Sequence, residues 1–121
     1  QTRDFTYVTD VVDAFLKCSK SNVSNEIFNV GSGKTVSVNK ITNLLKGTKV
    51  FIPKRPGEPE CTFANISKIK RLIGWGPKIS IENGVKMILK DINYWKNAPV
   101  WTPKKINKAT KLWFKHLGNE K

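Results

Sequence analysis

The sequence predicts a domain of mixed α/β structure, and three observations lead to this. Apolar residues at helical spacing recur in several segments, most of which follow a residue that can cap a helix. Short extended runs, bounded by Gly, Pro or polar residues, separate these segments. The chain has 121 residues, of which 39% are apolar and 10% aromatic, and this suits one unit with its own core.

The first quarter of the chain is predicted to hold two strands and one helix. Residues 5–8 form an apolar-aromatic run typical of a strand, and Thr9 can cap a helix over residues 10–20. The core-facing side of this helix is predicted from apolar residues at helical spacing: Val11, Phe15 and Cys18. A polar loop then leads to a second predicted strand, residues 26–30.

The middle of the chain is predicted to alternate helices with a strand. Ser37 is expected to cap a helix that runs through Leu45, and residues 49–52 are expected to form a strand. Asn65 is expected to cap a short helix, which the Gly-Trp-Gly-Pro segment at 74–77 ends.

Two further helices are predicted in the last third. Ser80 can cap the first, whose apolar stripe comprises Ile81, Val85, Ile88, Leu89, Ile92 and Trp95. Thr102 followed by Pro103 is typical of a helix start, and this second helix is expected to run through Leu117. It is expected to bury three residues: Ile106, Ala109 and Trp113.

The composition indicates a basic protein without a membrane span or a metal site. There are 22 Lys and Arg against 9 Asp and Glu, a net charge of +13, which attracts polyanions such as nucleic acid, anionic lipid or the diphosphate of a sugar nucleotide. Many lysines fall on predicted helices, where they solvate an exposed face. No apolar run is long enough to cross a bilayer. With one His and no CxxC motif, Cys18 and Cys61 are expected to be free thiols in a reducing cytosol.

The segment GSGKT at residues 31–35 ends like a phosphate-binding P-loop, GxxxxGK[ST]. In that motif a glycine-rich arc of N–H groups surrounds the phosphates and leads into a helix. Here Phe28 stands where the first Gly belongs, and residues 36–38 alternate in polarity as in a strand. The segment is therefore predicted to be a tight glycine turn between two strands.

Two arginines, Arg3 and Arg55, are the candidate anion-binding residues. Arg3 precedes a predicted strand, and Arg55 lies in a loop whose Pro56 and Gly57 restrict and redirect the backbone. Guanidinium groups bind phosphate oxygens in pairs of hydrogen bonds, so that two of them can hold a diphosphate. Glu58 is placed to accept hydrogen bonds from ribose hydroxyls.

Three stretches together resemble one enzyme family. RDFTYVTDVVDA (3–14) is similar to an Arg-Asp-aromatic-x-x-Val-x-Asp signature, and EIFNVGSGKTVSV (26–38) to a strand, glycine turn and helix entry. RPGEPECTFANISKIKRLIGW (55–75) is similar to an Arg-x-Gly-acid segment followed by a Ser-Lys helix and Gly-Trp. In order and spacing the chain, up to about Trp95, resembles the extended short-chain dehydrogenase/reductases, the NAD-dependent sugar-nucleotide epimerases and dehydratases.

The resemblance implies a role for each candidate residue. In such enzymes the Arg matching Arg3 contacts the nucleotide diphosphate, the Arg matching Arg55 contacts phosphate or ribose, and the acid matching Glu58 contacts ribose. The implied ligand is a nucleotide-diphosphate sugar.

The resemblance also implies that residues 1–121 are the C-terminal substrate-binding portion of such an enzyme. The dinucleotide-binding Rossmann half is then expected upstream of Gln1, with residues 8–31 packed against it. A cytoplasmic enzyme is implied, acting as an isomerase or a lyase, and a homodimer is left open.

The family's catalytic motifs are missing from this sequence. A GxxGxxG fingerprint binds the NAD(P) pyrophosphate, and a Tyr-x-x-x-Lys pair supplies the acid/base. No GxxGxxG occurs, and the residues four places after Tyr7 and Tyr94 are Val11 and Ala98. The chain by itself is therefore expected to be inactive, with NAD bound by the missing half and no catalytic, cofactor-binding or metal-binding residue of its own.

Two other classes of protein stay open from the residues alone. The charge, the aromatics and the short helices would permit a basic nucleic-acid-binding module. A tail rich in Trp could instead serve a protein-interaction domain without catalysis.

Overall fold

A computed structural model of the chain describes residues 1–118. Within them lie the helices α1 (Val8–Ser19), α2 (Val38–Leu45), α3 (Ser67–Ile73), α4 (Ile81–Lys90) and α5 (Pro103–Leu117), with a 3₁₀ turn at Ile92–Trp95. The strands β1 (Thr2–Arg3) and β2 (Val36–Ser37) pair antiparallel. The predicted mixed α/β class is found, with little sheet.

The small sheet gathers three segments at the N-terminus of the chain. In the register of the two strands, Thr2 lies opposite Ser37 and Arg3 opposite Val36. On its other side Thr2 donates to the carbonyl of Glu60 at 2.8 Å, and its own carbonyl accepts from the N–H of residue 62 at 3.2 Å. The loop at 53–62 is thereby held beside Arg3.

Three predicted helix caps are confirmed. The side chains of Ser37, Ser80 and Thr102 each accept a hydrogen bond from the backbone N–H three residues on, at 3.1, 3.2 and 3.3 Å. Each cap satisfies one of the N–H groups that a helix start leaves without a partner inside the helix. The predicted ends at Leu45 and Leu117 are also confirmed.

The predicted start of the first helix is wrong by two residues, and the strand predicted at 5–8 is not found. Helix α1 begins at Val8, after the extended residue Tyr7, whose carbonyl accepts from the N–H of Asp10 at 3.0 Å. Thr9 therefore lies inside the first turn and does not cap it. The residue at the capping position is Tyr7, and its side chain makes no capping hydrogen bond. The small polar residue Thr9 therefore indicated the wrong start for this helix.

The strands predicted at 26–30 and 49–52 are likewise not found in the described residues. A strand forms only where a neighbour satisfies its N–H and C=O groups. No other backbone within residues 1–118 is hydrogen-bonded to either segment, and the side chain of Ile27 is 87% exposed.

Helix α3 is found, but Asn65 does not stand at its capping position. Ile66 precedes the first helical residue, and it makes no capping hydrogen bond through its side chain. The Oδ1 atom of Asn65 instead accepts from the N–H of Ser67 at 3.0 Å. Gly74 ends the helix in a left-handed conformation, as the predicted break requires.

The last two helices also differ from prediction. Helix α4 ends at Lys90, and the apolar stripe predicted to continue to Trp95 enters the 3₁₀ turn. The expected burial along α5 is wrong, because Ala109 and Trp113 are exposed and Ile106 is half-buried. No described element covers the apolar side of α5, whose Leu112 is 67% exposed.

The core lies between α1 and α3. Trp75 and Ile69 are fully buried there, with Ala14 from α1 and Ile66 beside them. A buried carboxylate adds a polar tie, because Asp10 accepts from the N–H of residue 79 at 3.0 Å. This bond fixes α1 to the segment that leads into α4.

Much apolar surface lies outside this core. The accessible surface is 9,801 Å², whereas folded monomers of 13.7 kDa expose about 6,600 Å². On α1 an apolar face points away from the core: Val8, Val12, Phe15 and Leu16. Phe15, expected on the core side, belongs to this outer face and is 71% exposed. None of the helices within residues 1–118 combines the length and the apolarity that crossing a membrane requires.

Candidate functional site

The site is built around Arg3, which the small sheet holds in place. Its Nη1 donates to the carbonyl of Thr2 at 2.8 Å and to that of Glu60 at 3.3 Å. Its Nη2 lies 3.4 Å from Oε1 of Glu58. Two backbone carbonyls therefore hold one nitrogen of the guanidinium, and the side chain remains 20% exposed.

A tight turn brings Arg55 and Glu58 together. The N–H of Glu58 donates to the Arg55 carbonyl at 3.3 Å, and Gly57 has a φ of 71°, which side chains other than glycine rarely adopt. The Arg55 guanidinium donates from Nε to Oε2 of Glu58 at 2.9 Å and from Nη2 to Oε1 at 2.7 Å. This paired geometry is the strongest form of the Arg–carboxylate contact.

Glu58 is the shared centre of the cluster, which we call the arginine pair site (Arg3, Arg55 and Glu58). Arg3 lies 55 residues before Glu58 in the sequence. The structure nevertheless brings all three predicted residues together, with both arginines bonded to Glu58. The hydrogen bonds from Arg55, with the charge of Arg3 nearby, lower the pKa of Glu58 to about 2. Glu58 is therefore ionised near neutral pH, and both of its carboxylate oxygens accept hydrogen bonds from the guanidiniums.

The site is partly open to solvent. Lys54 pairs with Glu60 at the start of the same loop. The side chain of Arg55 is 34% exposed and that of Glu58 is 18% exposed. An anion can therefore approach both guanidiniums from solvent.

Helix α5 contributes one residue to the site that the sequence did not predict there. Trp113 donates from Nε1 to the carbonyl of Pro56 at 2.8 Å. The Arg55 guanidinium carbon lies 5.7 Å from the centre of the indole ring. Fifty-seven residues separate Trp113 from Pro56, and no local pattern signals this contact.

Asp4, the Asp of the Arg-Asp-aromatic stretch, is a second residue to which the sequence assigned no role. Its carboxylate accepts from the N–H groups of Ser32 at 2.6 Å, Gly33 at 3.1 Å and Ala64 at 3.1 Å. Burial by itself raises the pKa of Asp4, but these hydrogen bonds outweigh it and hold the pKa below its ordinary value. Asp4 thus joins the glycine turn to the extended segment that follows the Arg55 loop.

The contacts of Asp4 also explain the P-loop-like segment. The N–H groups of Ser32 and Gly33, which a phosphate would need, donate to a carboxylate of the protein. A Cβ at Gly31 would clash with Cβ of Ala64, so the glycine there permits a close backbone approach. The strand β2 follows, and no helix begins at Lys34.

The remaining predictions concern cysteines and metals. Cys18 is half-buried and Cys61 exposed, and both are free thiols. No group of three or more His, Cys, Asp or Glu side chains within residues 1–118 could hold a metal ion.

Comparison with known proteins identifies the family. A family model described as GDP-mannose 4,6-dehydratase matches residues 1–88. The chain therefore belongs to the nucleotide-sugar epimerases and dehydratases of the extended short-chain dehydrogenase/reductase family. The resemblance in the three sequence stretches is confirmed.

Individual relatives agree with this assignment. The chain is 38% identical over 103 residues to a putative UDP-glucose 4-epimerase of Methanocaldococcus jannaschii, covering 80% of this chain and 32% of the relative. A UDP-glucose 4-epimerase of Thermotoga maritima, solved with UDP-glucose, superimposes with a TM-score of 0.71 at 34% identity, over 77% of this chain and 32% of that one.

A third comparison bears on the cofactor. The UDP-glucuronic acid 4-epimerase of Bacillus cereus, solved with UDP-glucuronic acid and NAD, has a TM-score of 0.71 at 30% identity, over 78% of this chain and 32% of that one. NAD, which the resemblance implied, is thus a cofactor of the family. The chain spans about a third of the length of these relatives.

Proposed function

We propose that these residues bind the nucleotide diphosphate of a nucleotide sugar for an NAD-dependent epimerase or dehydratase. The observation that carries the proposal is the arginine pair site, in which the fold brings together Arg3 and Arg55 from distant segments. Two guanidiniums that share one carboxylate carry positive charge that a diphosphate can neutralise, and each can bind phosphate oxygens through paired hydrogen bonds. UDP sugars are the ligands named for the two structural neighbours.

In this proposal the ligand's phosphates take over some of the hydrogen bonds that Glu58 accepts from the two arginines. Each guanidinium has several N–H donors in a planar arrangement, so it can hold a phosphate oxygen and keep one contact to the carboxylate. The freed carboxylate oxygen can then accept from a ribose hydroxyl, as the resemblance implies for Glu58. Binding the substrate by its nucleotide, away from the reacting sugar, helps to position the sugar for reaction.

The described residues do not fit NAD. No GxxGxxG occurs in the sequence, and the N–H groups of the glycine turn are bonded to Asp4. We propose that a Rossmann half upstream of Gln1 binds the cofactor and supplies the acid/base, and that residues 8–31 pack against it. When bound there, NAD would supply the hydride chemistry at the sugar, and the residues described here would hold the nucleotide.

Substitution of the two arginines tests this proposal in the full-length protein in which the chain occurs. Arg3→Ala and Arg55→Ala are each expected to weaken nucleotide-sugar binding by about 2 kcal/mol, since each removes a charge-assisted paired contact. Isothermal titration calorimetry with a UDP sugar measures the effect. Lys108→Ala, which removes an exposed charge on α5, is the matched control and is expected to change little.

The same titration separates this function from nucleic-acid binding. If all three variants weaken binding equally, general charge is responsible and the arginine pair site is not. DNA binding through six or more phosphates falls by about 10³-fold between low and moderate salt, whereas the nucleotide-sugar affinity is expected to fall only modestly. Tight, sequence-selective DNA binding at physiological salt would overturn the proposal.

A further inference from the structure

Helix α5 reaches the arginine pair site through one side chain, Trp113. Among the described residues, Trp113 is the α5 residue whose side chain is hydrogen-bonded to a distant segment, the turn at Pro56. The side chain of Thr110 bonds within the helix itself. The neighbouring Leu112 is largely exposed. The position of the helix near the site therefore depends on the indole.

Trp113 contacts two consecutive residues of the Arg55 turn by two different interactions. Its Nε1–H donates to the Pro56 carbonyl at 2.8 Å, which fixes the backbone of the turn. Its ring lies 5.7 Å from the Arg55 guanidinium carbon, within the range of a cation–π contact. Only tryptophan offers both an extended π face and a ring N–H that is solely a donor.

The second contact matters because Glu58 is the other partner of Arg55. When a phosphate oxygen takes over one of the hydrogen bonds from Arg55 to Glu58, the paired contact that orients the guanidinium is reduced to a single bond. The indole face continues to hold it, because a cation–π contact leaves the N–H edges of the guanidinium free for the anion.

The helix that Trp113 anchors is strongly basic. Between Pro103 and Leu117 it has no acidic residue and carries five exposed lysines: Lys104, Lys105, Lys108, Lys111 and Lys115.

We propose that Trp113 is a positioning residue for Arg55, and that it fixes α5 beside the nucleotide diphosphate. This inference rests on the proposed function and adds to it a residue outside the 1–88 segment that the family model matches. The Pro56 contact holds the turn, and the ring contact holds the guanidinium during ligand exchange.

The test uses the full-length protein and uridine 5′-diphosphate as the probe. Trp113→Ala is expected to raise the dissociation constant about tenfold, since it removes a hydrogen bond and a cation–π contact. Trp113→Phe keeps an aromatic face and is expected to restore part of the loss. Trp101→Ala is the matched control, because Trp101 is 64% exposed and makes no contact with the site.

A double-mutant cycle distinguishes positioning from a general structural role. In an Arg55→Ala background, Trp113→Ala is expected to weaken binding by much less than in the wild type, because the residue it positions is gone. Circular dichroism checks that each variant is folded. In the active enzyme the effect is expected to be larger on KM than on kcat.

Each outcome decides the inference. Equal losses in the two backgrounds, or an unchanged dissociation constant in Trp113→Ala, would overturn it while leaving the proposed function in place, provided that Arg3→Ala and Arg55→Ala still weaken binding. A wild-type protein that binds none of the 5′-diphosphates of uridine, guanosine, thymidine and cytidine contradicts the proposed function itself, and the inference falls with it.

Discussion

Asp4 shows how one side chain can hold three parts of the chain together. It accepts from two N–H groups of the glycine turn and from one of the segment after the Arg55 loop, at 2.6 to 3.1 Å. Hydrogen bonds to a charged group contribute more to stability than neutral ones, because both charge and geometry favour them. The residue before it is Arg3, so the same bonds help to place the arginine pair site.

Asp4→Asn is expected to lower the free energy of unfolding by about 2 kcal/mol at pH 7, because the amide places N–H groups against N–H donors. Urea denaturation of the full-length protein measures this. Asp91→Asn serves as the control, since the Asp91 side chain is exposed. Equal effects of the two substitutions would contradict the role assigned to Asp4.

The same contact predicts how stability depends on pH. The pKa of Asp4 is lowered in the folded protein, so its contribution is fully present above the unfolded pKa of about 4. It is lost as the pH falls from there through the folded value. The difference in unfolding free energy between wild type and Asp4→Asn is therefore expected to shrink below about pH 4; a constant difference between pH 6 and pH 2 would refute this.

At the scale of residues, sequence reasoning found the charged members of the site and missed what supports them. Arg3, Arg55 and Glu58 stand out through their chemistry and the resemblance of their segments. Asp4 and Trp113 act through partners 28 to 60 residues away. Contacts over such separations exist only after folding, and a single sequence does not reveal them.

At the scale of elements, helices were predicted better than strands. Ser37, Ser80 and Thr102 act within one turn of the backbone, so a few adjacent residues determine the cap. A strand at 26–30 or 49–52 depends on a neighbouring strand that no local residue specifies. The burial predicted along α5 failed for the same reason, because burial requires a partner surface.

Helix α1 is apolar on two sides. Ala14 and Cys18 face the core, while the outer face is exposed along its length. A helix with apolar residues around most of its circumference is stable in water when both sides are covered. The proposed Rossmann half is the occupant that we expect on the outer face.

Phe15→Lys is therefore expected to destabilise the full-length protein by about 2 kcal/mol, since it places a charge in that contact. Leu112→Lys is the matched control: Leu112 is 67% exposed and lies outside residues 8–31. Thermal unfolding with and without NAD measures both variants. If the two lysine substitutions have equally small effects, the outer face of α1 is exposed in the whole protein as well.

At the scale of the whole molecule, the chain exposes more surface than a folded monomer of its mass, and it is shorter than its relatives. The exposed area is about one and a half times that of a folded monomer of this mass. The chain also spans about a third of the relatives' length. A large exposed surface is what we expect if, as proposed, residues 8–31 pack against a Rossmann half.

The 121 residues alone are accordingly expected to show no epimerase, dehydratase or dehydrogenase turnover with added NAD. The sequence has neither a dinucleotide fingerprint nor a Tyr-x-x-x-Lys pair. Product formation from UDP-glucose or UDP-glucuronic acid is the measurement, with the full-length protein as the positive control. Turnover by the 121-residue chain would show that its own residues suffice for catalysis.

The position of Glu58 between two guanidiniums has one more consequence. Two cations held this close would repel each other in an empty site, and long side chains would then spread into solvent. A resident carboxylate removes that repulsion, so both arginines are preorganised before any anion arrives. In the proposed function the carboxylate also competes with the ligand, so a diphosphate, which carries several charges, is expected to displace it more readily than chloride, which carries one. Glu58 is thereby expected to make the site select anions by their charge number.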